Sequence, residues 1–240
     1  MTFENKVVVI TGGASGIGKT IAQEFTEKGS KVCVIDILPN GYFQGDVGDQ
    51  RTLEIFADKV ITEHGKVDFL INNAPPPMKG INECTFQDFS RALQIGVTAA
   101  FYLTKLFMPH FTRNSAIVNI SSTRAIMSQP QTESYTAAKG GISALTHALA
   151  ASLAGQVRVN TVSPGWIDVN FAEHHGADAA QHPAGRVGNP LDIASMVLFL
   201  CSEKAGFITG QDFVVDGGMT RQMVYSGDYG WELKHDHNQN

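Results

Sequence analysis

Tyr135 and Lys139 stand four residues apart in the run Ser134-Tyr135-Thr136-Ala137-Ala138-Lys139, and Ser122 lies thirteen residues before the tyrosine, at the end of the apolar run Ile117-Val118-Asn119-Ile120. These three residue types together can move a proton to or from a carbonyl or hydroxyl oxygen. Residues four apart on a helix share a face, so Lys139 can sit beneath Tyr135, where its ammonium would favour the phenolate. A phenol titrates near ~10, whereas a general acid or base works best near the operating pH, so a neighbouring cation is what the chemistry asks for. Ser122, at the exit of a strand, would hold the substrate oxygen. A tyrosine and a lysine at this spacing are also what any half-buried helix with one solvated turn would show, and the pair alone is a weak motif.

The elements that would position them begin at the N-terminus. Lys6-Val7-Val8-Val9-Ile10 reads as a buried strand. It is followed by Thr11-Gly12-Gly13-Ala14-Ser15-Gly16-Ile17-Gly18, and then by Lys19-Thr20-Ile21-Ala22-Gln23-Glu24-Phe25, whose apolar positions recur at helical spacing. Strand, glycine-rich turn and helix in that order form the context of a dinucleotide-binding fingerprint. The glycines allow a tight turn and close approach of backbone to pyrophosphate, whose charge is favoured by the free N–H groups at the helix start. The spacing is Gly-x-x-x-Gly-x-Gly from Gly12, through Gly16 to Gly18, with Ser15 and Ile17 between them.

Further along, strands are expected near 6–10, 31–36, 43–46, 67–71, 115–121, 157–163 and 212–216, with helices near 16–28, 49–63, 86–111, 134–153 and 190–202. Their alternation predicts an α/β fold, a doubly wound parallel sheet of Rossmann-like type in a single domain. Between Asp36 and Tyr42 only Ile37-Leu38-Pro39-Asn40-Gly41 remain, too few for a helical crossover, so a loop is expected there.

In these segments the chain resembles the short-chain dehydrogenase/reductase family in its roughly 250-residue form. The resemblance runs from about Lys6 to Thr220 and is carried in order by the Thr11 to Gly18 turn, Gly45-Asp46-Val47, Asn72-Asn73-Ala74, Ser122, Tyr135 with Lys139, Pro164-Gly165-Trp166-Ile167, Gly185-Arg186-Val187-Gly188 and Val215-Asp216-Gly217-Gly218. The resemblance implies hydride transfer between NAD(H) and a small alcohol or ketone, with Tyr135 exchanging the proton, Ser122 positioning the oxygen, and Lys139 lowering the tyrosine pKa and orienting the ribose. Asp36, closing Lys31-Val32-Cys33-Val34-Ile35, would accept from the adenosine ribose hydroxyls and repel a 2′-phosphate. Neither Ser15 within the turn nor Ile37 after the aspartate is basic, so the expected cofactor is NAD. Asp46 and Val47 would flank the adenine, Asn73 and Ala74 would meet the adenosine ribose, Pro164, Gly165, Trp166 and Ile167 would line the nicotinamide, and Tyr135 and Lys139 would contact its ribose.

Three positions depart from the family pattern. Gly96 stands where an asparagine usually completes a catalytic tetrad. Pro75, opening Pro75-Pro76-Pro77, replaces a usual glycine and should make a stiff wall near the cofactor. Val169 stands where a threonine often touches the carboxamide. The segment near 168–186, which in this family usually forms a substrate lid, is short and contains His174, His175 and His182, which favours compact or polar substrates. Gln131, Glu133 and Arg124 could face the pocket, although solvated loop chemistry is the commoner fate of such residues.

Composition sets outer bounds. A chain of 240 residues with 43% hydrophobic and 17% charged residues can bury a full core. Met1-Thr2-Phe3-Glu4-Asn5 leads straight into the first strand without a signal peptide, and no apolar run reaches membrane-spanning length, so a cytoplasmic protein is expected. Cys33, Cys84 and Cys201 are isolated and odd in number, which favours reduced thiols over disulfide or metal partners. A formal net charge of −5 without a basic cluster argues against nucleic acid and anionic membrane as partners. No metal site is expected, because adjacent histidines at 174 and 175 seldom ligate one ion together; His235 and His237 fall in a polar tail beginning near 221. A homotetramer, or at least a homodimer, is implied by the resemblance, with Phe101, Leu103, Leu106, Phe107, Ile142, Leu145 and Leu149 as apolar residues in excess of one core face. Against the oxidoreductase stands a second class, a catalytically weak NAD(H)-binding redox sensor or interaction protein, motivated by Gly96 and Pro75. The intact Ser122, Tyr135 and Lys139 favour the enzyme.

Overall fold

A computed structural model describes residues 2–232; His235 and His237 lie outside them. The strands are β1 (Val7–Thr11), β2 (Lys31–Asp36), β3 (Phe43–Gln44), β4 (Val67–Asn72), β5 (Phe111–Ile120), β6 (Val157–Pro164) and β7 (Asp212–Val215). The helices are α1 (Gly16–Glu27), α2 (Gln50–His64), α3 (Phe86–Leu93), α4 (Ala99–Phe107), α5 (Glu133–Ser152), α6 (Ala177–Ala180) and α7 (Pro190–Cys201). All strands run parallel in one seven-stranded sheet, in the order β3-β2-β1-β4-β5-β6-β7. The doubly wound Rossmann-like architecture follows from the strand pattern. Alternate residues of a strand point to opposite faces, and both faces here are apolar. Val7 and Val9 pack with Leu53 and Phe56 of α2 and Leu103 and Phe107 of α4, while Val8 and Ile10 pack with Ile21 and Phe25 of α1 and Ile193 and Val197 of α7.

In this order β1 lies between β2 and β4, so successive crossovers diverge on either side of it and leave a crevice beyond the carboxyl ends of the strands. Thr11, Asp36, Asn72, Ile120 and Pro164 all end strands at that edge. The connection from β2 to β3 is a loop, as its length requires. Asn40 organises it, its side-chain oxygen accepting from Tyr42 and Phe43 N–H at 2.9 and 3.0 Å. No helix among the described residues is long and apolar enough to cross a membrane.

Two expectations are corrected. The helix foreseen over 86–111 is interrupted: between α3 and α4 the chain makes a wider π turn at Gln94–Thr98, and a 3₁₀ turn at Met108–His110, containing Pro109, delivers it directly into β5 at Phe111. Proline cannot continue a hydrogen-bonded helix interior, so the strand starts four residues earlier than its apolar run suggests. The supposed surplus of apolar residues also shrinks. Leu103, Phe107, Ile142 and Leu149 are buried in the chain's own core, Leu106 and Leu145 pack against it, and Phe101, 47% exposed, remains outside. The cysteines are free, and burial pushes the Cys33 thiol up to about 11.

Candidate active site

The glycine-rich turn is shaped by contacts that leave no room for side chains. A Cβ on Gly12 would lie 2.7 Å from Ala74 Cα, one on Gly13 would lie 2.9 Å from both Val34 methyls, and one on Gly18 would overlap the Gly12 carbonyl oxygen. Gly12 and Gly16 also have φ of +67° and +52°, where a side chain is strained. Ser15 caps α1 with extended backbone but makes no side-chain cap bond, so the first N–H groups of the helix face the cleft without an internal acceptor.

Thr11 and Asn73 lock this turn to β4. Thr11 Oγ1 accepts from the N–H of Asn73 and of Ala74 at 2.9 and 3.0 Å, and the Asn73 amide donates to the Gly12 carbonyl at 2.8 Å. The Asn73 amide nitrogen thus holds the turn, a role that depends on tertiary pairing and is invisible in the isolated Asn-Asn-Ala run. Thr11 carries no recognisable signal beyond its place at the strand end.

Two cavities open over the turn. One, of about 260 Å³, is bordered by Asp36, Ile37, Asp46, Val47, Ala74 and Arg91. Asp36 is 7% exposed, and its carboxylate accepts from Ala14 N–H and Leu38 N–H, both at 2.9 Å, which leaves further lone pairs for ligand hydroxyls. Arg91, which the sequence did not single out, reaches this cavity from α3 and is paired with Asp46, so its charge is already compensated. The other cavity, of about 290 Å³, is bordered by Gly16, Ile17, Ser122, Tyr135, Lys139 and Pro164 among others, and Pro75 stands on the border of both. Val169 borders the second cavity over Gly16, at 3.3 Å from where a Cβ of that glycine would be. Gly165 and Ile167 also border it, but the Trp166 ring turns away into a neighbouring cavity, 5.0 Å from the His174 ring.

Ser122, Tyr135 and Lys139 meet in the 290 Å³ cavity. Ser122 lies two residues beyond β5 and begins a short turn in which its Oγ accepts from Arg124 N–H at 3.1 Å. With one lone pair so occupied, its O–H is free to donate into the cavity. Tyr135 lies in the first turns of α5, where burial holds its phenol above the usual value while the Ser122 hydroxyl and the Arg124 guanidinium pull it down. Lys139 Nζ is 5.4 Å from the Tyr135 ring centre and donates to Ile120 O at 2.8 Å. Besides Lys139, expected beneath the phenol, the structure brings the Arg124 guanidinium to bear on it.

Lys139 is 3% exposed and has no carboxylate partner among the described residues. Burial alone lowers its pKa from 10.5 to about 8. Between about 8 and 10.5 the unfolded chain binds the proton more tightly than the folded one, so stability rises with pH through that window, and below it the full cost of the buried ammonium is present. The shift corresponds to roughly 3 kcal/mol, partly offset by about 1 kcal/mol for the bond to Ile120. Lys139→Met is accordingly expected to stabilise the unliganded protein by about 1–2 kcal/mol at pH 7 and to flatten the rise between pH 8 and 10. Thermal unfolding across that range checks it, and a variant no more stable than the parent at pH 7 would contradict the assignment.

The lid segment is anchored at both ends, Asp168 N–H donating to Gly188 O at 2.9 Å and Gly188 N–H to Trp166 O at 3.2 Å. Asp168 gathers its first turn, accepting from Asn170 and Ala172 N–H and meeting His174 Nε2 at 3.2 Å. His182 is buried, with Nδ1 on the Asp178 carbonyl. Gln131 and Glu133 do not face the pocket. They accept from Asn82 and Ile81 N–H and hold the loop that follows the proline run.

A parallel sheet with a glycine-walled turn at its switch point, and a serine, tyrosine and lysine gathered beside it, defines an α/β oxidoreductase. Residues 12–220 match the family described as Enoyl-(Acyl carrier protein) reductase. An uncharacterized oxidoreductase of Thermotoga maritima is 40% identical, over 93% of this chain and 99% of that protein. An apo SCOR enzyme from Clostridium thermocellum is 44% identical, with a TM-score of 0.90 over 97% of this chain and 99% of the other. The ligand-free aldohexose dehydrogenase of Thermoplasma acidophilum is 30% identical, with a TM-score of 0.85 over 93% and 97%. The chain belongs to the short-chain dehydrogenase/reductase family, whose members generally use a nicotinamide cofactor.

Proposed function

We propose that the protein is an NAD(H)-dependent oxidoreductase that interconverts the alcohol and carbonyl forms of a small hydroxy or keto compound, with Tyr135 as general acid and base. The observation that carries this reading is the convergence of Ser122, Tyr135 and Lys139 in a cavity that adjoins the one holding Asp36. The residues present fit a dinucleotide, because the turn from Gly12 to Gly18 is a cradle that a Cβ at Gly12 or Gly18 would fill. Its N–H groups would take the pyrophosphate, Asp36 the adenosine ribose, Asp46 and Val47 the adenine, and Pro164, Gly165 and Ile167 the nicotinamide. When bound, the nicotinamide supplies or accepts the hydride at the substrate carbon. Ser122 donates its hydroxyl to the reacting oxygen and Tyr135 gives or takes the proton there. Lys139, fixed by Ile120 O, would hold the nicotinamide ribose. The name of the T. acidophilum neighbour supports a small hydroxylated substrate.

Because Asp36 is buried without a basic neighbour free to compensate a 2′-phosphate, NADH is expected to bind at least about 30-fold more tightly than NADPH, a difference of roughly 2 kcal/mol, and Asp36→Ala should narrow the gap about tenfold. Titration of both cofactors tests this, and equal affinities in the parent would overturn the cofactor assignment. The same reading makes the protein a homotetramer or homodimer; sedimentation showing only monomer would contradict it.

A further inference from the structure

Beyond Ser122 the cleft continues into a cavity of about 430 Å³ whose border includes Ser122, Arg124, Met127, Gln129, Trp166 and Gln181. A substrate held by Ser122 would have room to extend into it. No Asp or Glu borders it among the described residues, yet it contains an arginine. Elsewhere Arg51, Arg91 and Arg186 are paired with carboxylates, Arg158 is satisfied by the carbonyls of Leu200 and Ser202, and Arg113 and Arg221 are exposed to solvent. Arg124 has no ion pair among the described residues. One of its terminal nitrogens donates to the neutral Gln129 Oε1 at 2.6 Å, which orients the guanidinium without neutralising it.

Its position is set by the catalytic segment. Arg124 lies two residues beyond Ser122, in the single turn Thr123–Ala125, and its N–H is tied to the serine oxygen. The guanidinium is close enough to Tyr135 for its charge to pull the phenol down. A substrate filling this cavity strips water from the arginine, and a neutral occupant would leave that charge poorly compensated. A carboxylate removes the penalty and matches the planar donor fork with two parallel bonds. A phosphate dianion would call for a second cation or a helix start, and neither borders this cavity. Trp166 and Met127 can cover a short apolar body between the two ends.

Resting on the oxidoreductase reading above, we infer that the substrate is a short hydroxy acid or keto acid whose carboxylate is held by Arg124 while its hydroxyl or carbonyl oxygen lies between Ser122 and Tyr135. The test has two arms. In the first, NADH formation is followed with 2-, 3- and 4-hydroxybutyrate, with methyl 3-hydroxybutyrate, and with the neutral polyols arabitol and 1,2-butanediol. At least one acid is expected to exceed the ester and both polyols about 100-fold in kcat/KM. Arg124→Gln should erase that preference, chiefly through KM, and Arg124→Lys should restore part of it. In the second arm, which requires no turnover, butyrate and butyramide are titrated into the NADH-saturated protein. Butyrate should bind at least 30-fold more tightly than butyramide, and Arg124→Gln should abolish the difference while NADH still saturates the variant. Faster turnover of the ester or the polyols than of any acid, or butyrate binding indifferent to Arg124, overturns the inference and leaves the oxidoreductase reading standing. Silence of every compound in the first arm counts against the oxidoreductase reading, and the butyrate titration alone then decides for or against the anion site.

Discussion

Replacing Tyr135 with Phe lowers turnover by about 10³-fold or more, within the range that a positioned general acid or base contributes, and leaves the NADH dissociation constant within about threefold of the parent. The two effects separate because the ring and the hydroxyl do different things. The ring packs at the start of α5 over Lys139 and survives the change, so the cleft keeps its shape. The hydroxyl lies beside Ser122, with the charge of Arg124 pulling its pKa down, and on the proposed reading it gives or takes the proton at an oxygen held by Ser122. Burial keeps the phenol protonated well above neutral pH in the unliganded protein. Alcohol oxidation, which needs the phenolate, is therefore expected to speed up with rising pH, whereas carbonyl reduction, which needs the phenol, is not. Steady-state kinetics in both directions, paired with cofactor titration, checks both statements. A Phe variant with turnover near the parent's would show that another group carries the proton.

Gly96→Asn destabilises the protein by about 1–3 kcal/mol, the usual cost of overpacking, which for a chain of this size lowers the melting temperature by roughly 2–12 °C. Gly96 stands where the family usually has an asparagine, and the structure leaves little room for a side chain there. A Cβ at this position would lie 2.8 Å from Ala138 Cβ and 3.2 and 3.3 Å from Pro76 Cγ and Cβ. The π turn at Gln94–Thr98 is thus pressed against α5 one residue before Lys139, with the buried Pro76 filling the remaining gap. Two departures from the family pattern, the proline run and the glycine, fit each other. A side chain at 96 must push α5, and with it Tyr135 and Lys139, so activity should fall together with stability. Ala138→Gly in the same chain removes the nearest atom and should recover part of the activity, although glycine in α5 carries about 1 kcal/mol of helix cost. Thermal unfolding and kcat/KM of the three variants check the coupling. An Asn variant as stable as the parent and faster in turnover would mean that the space is open after all.

The contrast between these two positions shows what was legible in the chain. The glycine turn, Asp36 and the Ser122, Tyr135, Lys139 set could be located because each depends on local spacing on a strand end or helix face, where chain geometry alone brings the groups together. The fold was legible for the same reason, since both faces of each central strand are written in alternate residues. What escaped depends on contacts between distant segments. Arg91 reaches the cleft from α3 to meet Asp46, and the Asn73 amide is spent on Gly12. Gln131 and Glu133 turn toward the loop at Ile81 and Asn82 instead of the pocket, while Arg124, an ordinary loop cation in sequence, borders the substrate cavity. The loosening of the helix at Gly96 could be expected from a glycine within it, and the π turn at Gln94–Thr98 contains it; the closeness of Ala138 and Pro76, neither a neighbour in the chain, could not.

The reaction proposed for this cleft is hydride transfer between NAD(H) and a small hydroxy or keto compound under Tyr135. It is tested most directly by following NADH absorbance in both directions across a panel of small hydroxy acids, keto acids, sugars and polyols, with the parent and the Tyr135→Phe variant measured side by side. The expected result is turnover of at least one compound class by the parent, loss of that turnover in the variant, and equal NADH binding by both. Firm NADH binding with silence across the whole panel would contradict it and favour a cofactor-binding protein without catalysis.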